Sequence, residues 1–93
     1  MIEYVFDKDD NRSVAIDGDK LVGESVFSDA GNIWIIDHTI VAEQYEGQGI
    51  AKKLVEMVVD EARKAKLKLM ATCPYALKLF RSTDIYDDVL LMK

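Results

Sequence analysis

The chain has 93 residues and 49% of them are hydrophobic, which is enough for one domain with one modest core and excludes a disordered tail. The net charge of −5 argues against general nucleic-acid binding, and a single cysteine with a single histidine excludes an internal disulfide framework or a closed zinc site. No apolar run reaches membrane-spanning length and no charged segment precedes an apolar stretch at the N-terminus, so we expect a cytoplasmic protein.

The first half of the chain predicts four strands separated by polar turns. Asp17-Gly18 is a common hairpin signal, and the segment after Asn32 is the richest in β-branched and aromatic residues. The predicted strands are Ile2–Phe6, Ser13–Ile16, Lys20–Phe27 and Ile33–Val41.

The pattern then changes to helical spacing between Gly49 and Lys66. Asp60 and Lys64 lie four residues apart on the polar side, where opposite charges support a helix. The residues expected on the buried stripe are Ile50, Ala51, Leu54, Val55, Val58, Ala62 and Ala65.

The last third of the chain predicts a strand at Leu67–Thr72, ended by Cys73-Pro74, because proline cannot continue a central ladder. A short helix follows at Tyr75–Arg81, and Ile85–Met92 is interpreted as a last strand or an extended tail.

These elements predict an α/β (α+β) fold in a single domain spanning residues 1–93. The early strands form antiparallel hairpins. The long helix is a crossover that makes the fourth and fifth strands parallel, with right-handed connection. The result is one mixed, mostly antiparallel sheet with helices covering a face.

Two glycines, Gly47 and Gly49, stand where the strand pattern gives way to the helical pattern. They can bring the free amides of a helix N-terminus together around phosphate oxygens, or they can simply form a tight turn. The dinucleotide fingerprint fails because Lys52 stands where its third glycine is needed, and the P-loop pattern is absent.

Gln44-x-x-Gly47-x-Gly49 resembles the pyrophosphate-binding motif [QR]-x-x-G-x-[GA] of the GNAT N-acetyltransferase superfamily. Two more segments in the expected order match the family: His38-Thr39-x-Val41 before the motif and Cys73-Pro74-Tyr75 after the next strand. The larger members begin with a strand and two helices, for which this chain has no room. It therefore resembles the minimal branch, the YjdJ type.

The resemblance implies that acetyl-coenzyme A is a co-substrate, lying where the fourth and fifth strands separate, and that no metal is needed. Four bases are near enough in sequence to meet its phosphates, although a solvated surface charge is favoured for any one taken singly: Lys52, Lys53, Lys78 and Arg81. The implied cofactor-binding residues are Ile40, Val41, Gln44, Tyr45, Glu46, Gly47, Gln48, Gly49, Ile50, Ala51, Lys52, Cys73, Tyr75 and Lys78.

Cys73 and His38 are the implied catalytic residues. Cys73 can accept the acetyl group or assist direct transfer, or it can be a small buried residue of the core. His38 can remove the proton of an attacking amine, or it can be a structural residue at a strand end. Asp37 and Glu43 are weaker candidates, either as a base or as a partner for a cationic substrate.

One position departs from the larger enzymes, which often carry N-x-x-A-x-x-L-Y in the helix after the fifth strand. Here the segment reads Cys73-x-x-Ala76-x-x-Leu79-Phe80, and Phe80 has no hydroxyl with which to protonate the leaving thiolate.

The implied function is acetyl transfer from acetyl-coenzyme A to an amine on a small molecule or a protein, by a monomer or homodimer without nucleic-acid or membrane partners. Residues 1–46 hold 11 acidic and 3 basic side chains, which suits a cationic acceptor, while chance drift of charge along the chain is equally open. The alternatives are a non-catalytic coenzyme A-binding module and a small interaction domain in which the glycines form only a turn.

Overall fold

The chain forms one five-stranded sheet and two helices in a computed structural model that describes residues 1–91. Short 3-10 turns at Lys8–Asp10 and Glu43–Tyr45 lie in the connections. The elements in chain order are β1 (Ile2–Asp7), β2 (Arg12–Asp17), β3 (Lys20–Asp29), β4 (Ile33–Val41), α1 (Ile50–Ala65), β5 (Lys68–Ala71) and α2 (Pro74–Ser82).

The strands lie in the order β1-β2-β3-β4-β5. The first four form an antiparallel meander, and β5 pairs parallel to β4 after the crossover through α1. The hairpin expected at Asp17-Gly18 is present, with Asp17 paired to Lys20 and Gly18 at a φ of 68°. The predicted mixed, mostly antiparallel sheet is confirmed.

Both helices pack against the same face of the sheet. One cluster of buried residues joins the apolar stripe of α1 and the first turns of α2 to the aromatic and branched residues of β3, β4 and β5. Its sheet members include Phe27, Trp34, Ile36 and Leu69. This face therefore holds the core.

Helix α1 differs from the sequence prediction at two points. Ala65, expected on the buried stripe, is exposed, because the helix ends there and Lys66 follows in the left-handed region at a φ of 59°. Val59, which was not expected on the stripe, is buried. Asp60 pairs with Arg63 at 3.2 Å between Oδ1 and Nη1 rather than with Lys64.

The opposite face of the sheet carries no helix within residues 1–91, and we call it the open face. Large apolar side chains are exposed on it, with Ile40 at 58% and Leu21 at 48%. Register partners share a face of a sheet, so Glu24 lies on the open face with Ile40, and Arg12 lies there with His38, each paired to Val26.

The segment after α2 does not form the last strand that the sequence suggested. It runs through consecutive turns and makes a single parallel bridge, Leu69 to Leu90, flanked by a bond from the amide of Leu69 to the carbonyl of Val89 at 2.7 Å. The end of the predicted segment, Met92, lies outside the described residues. Within the described part of the chain, neither helix is long and apolar enough to cross a membrane.

Candidate functional site

The strands β4 and β5 separate halfway along β4. Their pairing ends at Ile36 and Ala71, where the carbonyl of Ile36 accepts bonds from the amides of both Thr72 and Cys73, at 2.9 and 3.1 Å. Pro74 then begins α2, so the strand does not continue. The second half of β4 consequently has no strand paired with it on that side within the described residues.

A β-bulge lies at the same level on the other side of β4. His38 pairs with Val26 and Ile36 pairs with Phe27, so Asp37 is an extra residue. A bulge redirects side chains and increases the local twist of a strand. It therefore helps β4 to leave β5 at this point.

A cleft of about 400 Å³ continues from this separation to the start of α1. Four regions contribute to it: the end of β4, the glycine turn, the first turn of α1 and the start of α2. Its lining residues are Thr39, Val41, Tyr45, Glu46, Gly47, Gly49, Ile50, Ala51, Lys52 and Tyr75.

The N-terminus of α1 forms one end of the cleft. Gly47 and Gly49 have φ values of 83° and 81°, a region that glycine reaches without strain. Gly49 is the N-cap and supplies no side-chain cap, and the first helical bond runs from the amide of Lys53 to the carbonyl of Gly49 at 3.1 Å. The amides before Lys53 therefore lack helical partners.

The charge at this helix end favours an anion. The first turn of α1 holds no acidic residue, and Lys52 and Lys53 lie in it. Bases are unfavourable beside the positive end of a helix dipole unless an anion joins them. Free amides, a positive helix end and Lys52 in the cleft lining together suit phosphate oxygens, whereas Lys53 Nζ lies over the ring of Tyr4, 5.0 Å from its centroid.

Contacts with the sheet fix the position of α1. The backbone of Gly23 lies so close to the helix that an added Cβ would stand 3.1 Å from Leu54 Cδ1. The buried hydroxyl of Ser13 donates to the carbonyl of Leu54 at 2.7 Å. These contacts position the amides that face the cleft.

A hydrogen bond ties the glycine turn to the β2–β3 hairpin. The hydroxyl of Tyr45 donates to Asp17 Oδ2 at 2.5 Å. This bond lowers the pKa of Asp17 and raises the pKa of Tyr45. Since Tyr45 lines the cleft, the bond orders one of its walls.

Cys73 lies beside the cleft and does not line it. The residue is only 2% exposed. Its thiol caps α2 by accepting a bond from the amide of Ala76 at 3.5 Å, and it donates to the hydroxyl of Thr39 at 3.6 Å. The same hydroxyl lies 3.0 Å from that of Ser25. Thr39 therefore separates Cys73 from the cleft, a role the sequence did not predict for it.

His38 lies on the open face, opposite the side of β4 that carries Thr39. Its Nε2 is 3.3 Å from Glu24 Oε2, and Arg12 Nη1 donates to the other oxygen of Glu24 at 2.9 Å. Burial opposes ionisation of Glu24, but the bonds from Arg12 and His38 outweigh it and lower the pKa of this carboxyl. Neither Glu24 nor Arg12 was expected from the sequence.

The remaining sequence candidates lie outside the cleft lining. Ile40 projects from the open face, and the side chains of Gln44 and Gln48 are exposed. Lys78 lines a separate groove on α2 that also contains Pro74, Leu77, Arg81 and Ser82. The binding roles assigned to these residues stay predictions.

The weaker acidic candidates are also apart from it. Asp37 accepts a bond from the hydroxyl of Ser28 at 2.6 Å, and Glu43 is exposed. Within residues 1–91 no group of histidine, cysteine and acidic side chains is arranged to hold a metal ion.

Comparison with known proteins places the fold and the motif in one family. The model of the GCN5-related N-acetyl-transferase family matches residues 11–89. The solution structure of a GCN5-like protein from Staphylococcus aureus is 32% identical, with a TM-score of 0.75, covering 100% of this chain and 89% of that one.

Two longer proteins share the fold. A ribosomal-protein-alanine N-acetyltransferase from Brucella melitensis biovar Abortus 2308 is 25% identical, with a TM-score of 0.62, over 88% of this chain and 64% of that one. An aminoglycoside acetyltransferase from an uncultured soil metagenomic sample is 24% identical, with a TM-score of 0.57, over 78% of this chain and 55% of that one. This chain thus spans less than two thirds of either. No curated protein matches the sequence.

The assignment to the YjdJ type stays a prediction, because these matches identify the family and not a branch of it. The family model covers most of the chain, and the Staphylococcus aureus structure covers all of it. The chain belongs to the GCN5-related N-acetyltransferase family.

Proposed function

We propose that the chain binds acetyl-coenzyme A in the cleft and transfers its acetyl group to an amine. The observation that carries the proposal is the uncapped N-terminus of α1, which presents amides without helical partners to a cleft that leads to the separation of β4 and β5. A pyrophosphate accepts hydrogen bonds from such amides without needing a cationic side chain for each oxygen.

The residues around the cleft also suit the parts of acetyl-coenzyme A other than its pyrophosphate. The unpaired second half of β4, ending at Val41, offers backbone groups to an extended, amide-bearing arm. Lys52 at one end can neutralise phosphate charge, and the groove with Lys78 and Arg81 on α2 offers two more bases. Bound there, acetyl-coenzyme A would supply an activated acyl group as a thioester.

Two residues remain candidates for the chemistry, on opposite sides of β4. His38, on the open face, would take the proton that the amine must lose before it attacks. Cys73, behind Thr39, would either accept the acetyl group or help to hold the thioester. Its burial means that the first of these roles requires Thr39 to move.

The acceptor class is inferred from charge. Residues 1–46 contain 11 acidic and 3 basic side chains, which favours the approach of a cationic amine. The names of the Brucella and metagenomic relatives refer to a ribosomal protein and to aminoglycosides, so both protein and small-molecule amines are proposed as acceptors.

The test combines binding and turnover. Acetyl-coenzyme A is titrated calorimetrically into the chain. The protein is then incubated with acetyl-coenzyme A and each of spermidine, an N-acetyl-lysine amide and kanamycin, and amine-dependent release of free thiol is measured. Micromolar binding with release would support the transferase. Binding without release with any amine would favour a non-catalytic coenzyme A-binding module, and absence of binding would overturn both.

A further inference from the structure

The open face holds a line of charged side chains that the proposed cofactor cleft does not use. Arg12 on β2 contacts Glu24 on β3, and Glu24 contacts His38 on β4. Asp7 and Asp10 contact the guanidinium from the other end, at 3.4 and 3.7 Å. The line therefore ends at the one imidazole of the chain, beside the bulge.

The contact between Glu24 and His38 has a direction. An ionised carboxylate only accepts hydrogen bonds, so the ring nitrogen that faces it must carry a proton. The nitrogen 3.3 Å from Glu24 is Nε2. The other nitrogen, Nδ1, is then the one that can accept a proton from an incoming group.

Arg12 keeps this arrangement in place. Its guanidinium donates to Glu24 Oε1, while His38 faces Oε2, so the two partners use different oxygens of one carboxylate. The Glu24 side chain is 24% exposed and that of His38 is 46% exposed. The carboxylate is thus the more buried of the two groups, and the imidazole remains accessible to solvent and to an acceptor.

The groups that surround His38 can be named from each neighbouring element. Glu24 faces it from β3 and Arg12 lies beyond on β2, while Asp37 on its own strand is bonded to Ser28. Thr39, the next residue along β4, lines the cleft from the other face of the sheet. The imidazole and the cleft are therefore on opposite sides of one strand, at its separation from β5.

We propose that Glu24 is a positioning residue that holds the proton of His38 on Nε2, so that Nδ1 receives the proton of an acceptor amine arriving from the open face. This inference rests on the proposed acetyl transfer. A protonated acceptor amine first gives one proton to Nδ1, and the imidazolium so formed is paired with Glu24. The neutral amine then forms the new N–C bond, the C–S bond breaks with its electron pair on sulfur, and the second N–H proton passes to this thiolate.

The single histidine makes the arrangement directly measurable by nitrogen-15 NMR, because all imidazole signals belong to His38. We expect only the Nε2–H tautomer in the neutral ring of the wild type, and a mixture of both tautomers in Glu24→Ala. Glu3→Ala, which removes an exposed carboxylate from β1, is the matched control and should behave like the wild type. A proton on Nδ1 in the neutral ring of the wild type, or an unchanged tautomer in Glu24→Ala, would overturn the proposal.

Kinetics separates positioning from a structural role. Acetyl transfer is followed with propylamine, which is protonated near neutral pH, and with hydroxylamine, which is not. Glu24→Ala should slow transfer to propylamine about tenfold, part of the effect of a general base, and leave hydroxylamine nearly unaffected. In a His38→Gln background the same substitution should add nothing, because Glu24 acts through the ring.

Equal slowing with both amines would show that Glu24 only supports the fold, and would refute its positioning role. Failure of the proposed function gives a different result, because a wild type that binds no acetyl-coenzyme A shows no titration signal before either amine is added. An unchanged tautomer of His38 in Glu24→Ala, with a wild type that still acetylates propylamine, would refute the positioning role and would still support the proposed acetyl transfer.

Discussion

Replacing Gly49 by alanine separates the conformation of the glycine turn from its use in binding. Gly49 has a φ of 81°, where a residue with a Cβ is strained by about 1–2 kcal/mol. A Cβ placed there meets no atom within 4 Å, so the substitution adds no clash in the free protein. Because Gly49 lines the cleft, the new methyl group would stand where a ligand must approach the amides.

The matched control is Gly31→Ala in the β3–β4 turn. Gly31 has a φ of 95° and also has open space around its Cβ position, but it does not line the cleft. Both variants should lose about 1–2 kcal/mol of unfolding free energy in urea titrations. Only Gly49→Ala should lose affinity for coenzyme A in calorimetry, by about tenfold or more, or roughly 1.4 kcal/mol. Unchanged binding by Gly49→Ala, or an equal loss in Gly31→Ala, would refute the reasoning.

Three further substitutions test contacts of the core and of the cleft. Gly23→Ala, which sets a Cβ 3.1 Å from a leucine of α1, should lower the unfolding free energy by about 1–3 kcal/mol in urea titrations. No loss would show that α1 can shift without cost and that this contact does not fix its position. Burial and the bond to Glu56 raise the pKa of Tyr86 to about 12, so its stabilising contribution is full below about pH 10 and lost as the pH rises towards 12. Tyr86→Phe should flatten this alkaline loss in urea titrations at several pH values; an unchanged slope would contradict it. Thr39→Ala should expose the thiol of the buried residue Cys73, and faster labelling by iodoacetamide in the folded protein would show this, whereas an unchanged rate would show that Thr39 does not shield the thiol.

Much of the fold follows from local patterns. Alternation and the Asp17-Gly18 turn predicted the hairpins, and the bounds of Ile33–Val41 were correct at both ends. The segment after α2 was misjudged, because its attachment to the sheet depends on one bridge between Leu69 and Leu90, which leaves no periodicity in the sequence.

The site was predictable where it depends on chain-local chemistry. Gly47, Gly49 and Lys52 were expected around a ligand and line the cleft. Thr39 and Glu24 were missed, because their importance arises from contacts between strands. Those contacts depend on the bulge after Ile36, which shifts the register by one residue and which composition does not reveal.

The way β5 joins the sheet has a consequence for the order in which the molecule opens. The four strands of the meander pair with their neighbours in sequence, whereas β5 joins only after the whole of α1 and through four residue pairs, from Ile33–Lys68 to Ile36–Ala71. Contacts between distant parts of a chain carry the larger closure entropy, and short pairings are the first to yield in local unfolding. β5, and with it the start of α2 that carries the cleft residue Tyr75, can therefore open while the meander stays intact. A bound ligand that bridges β4 and the start of α2 would hold β5 against β4 where their pairing ends. Its binding should therefore slow amide exchange in β5 more than in the meander.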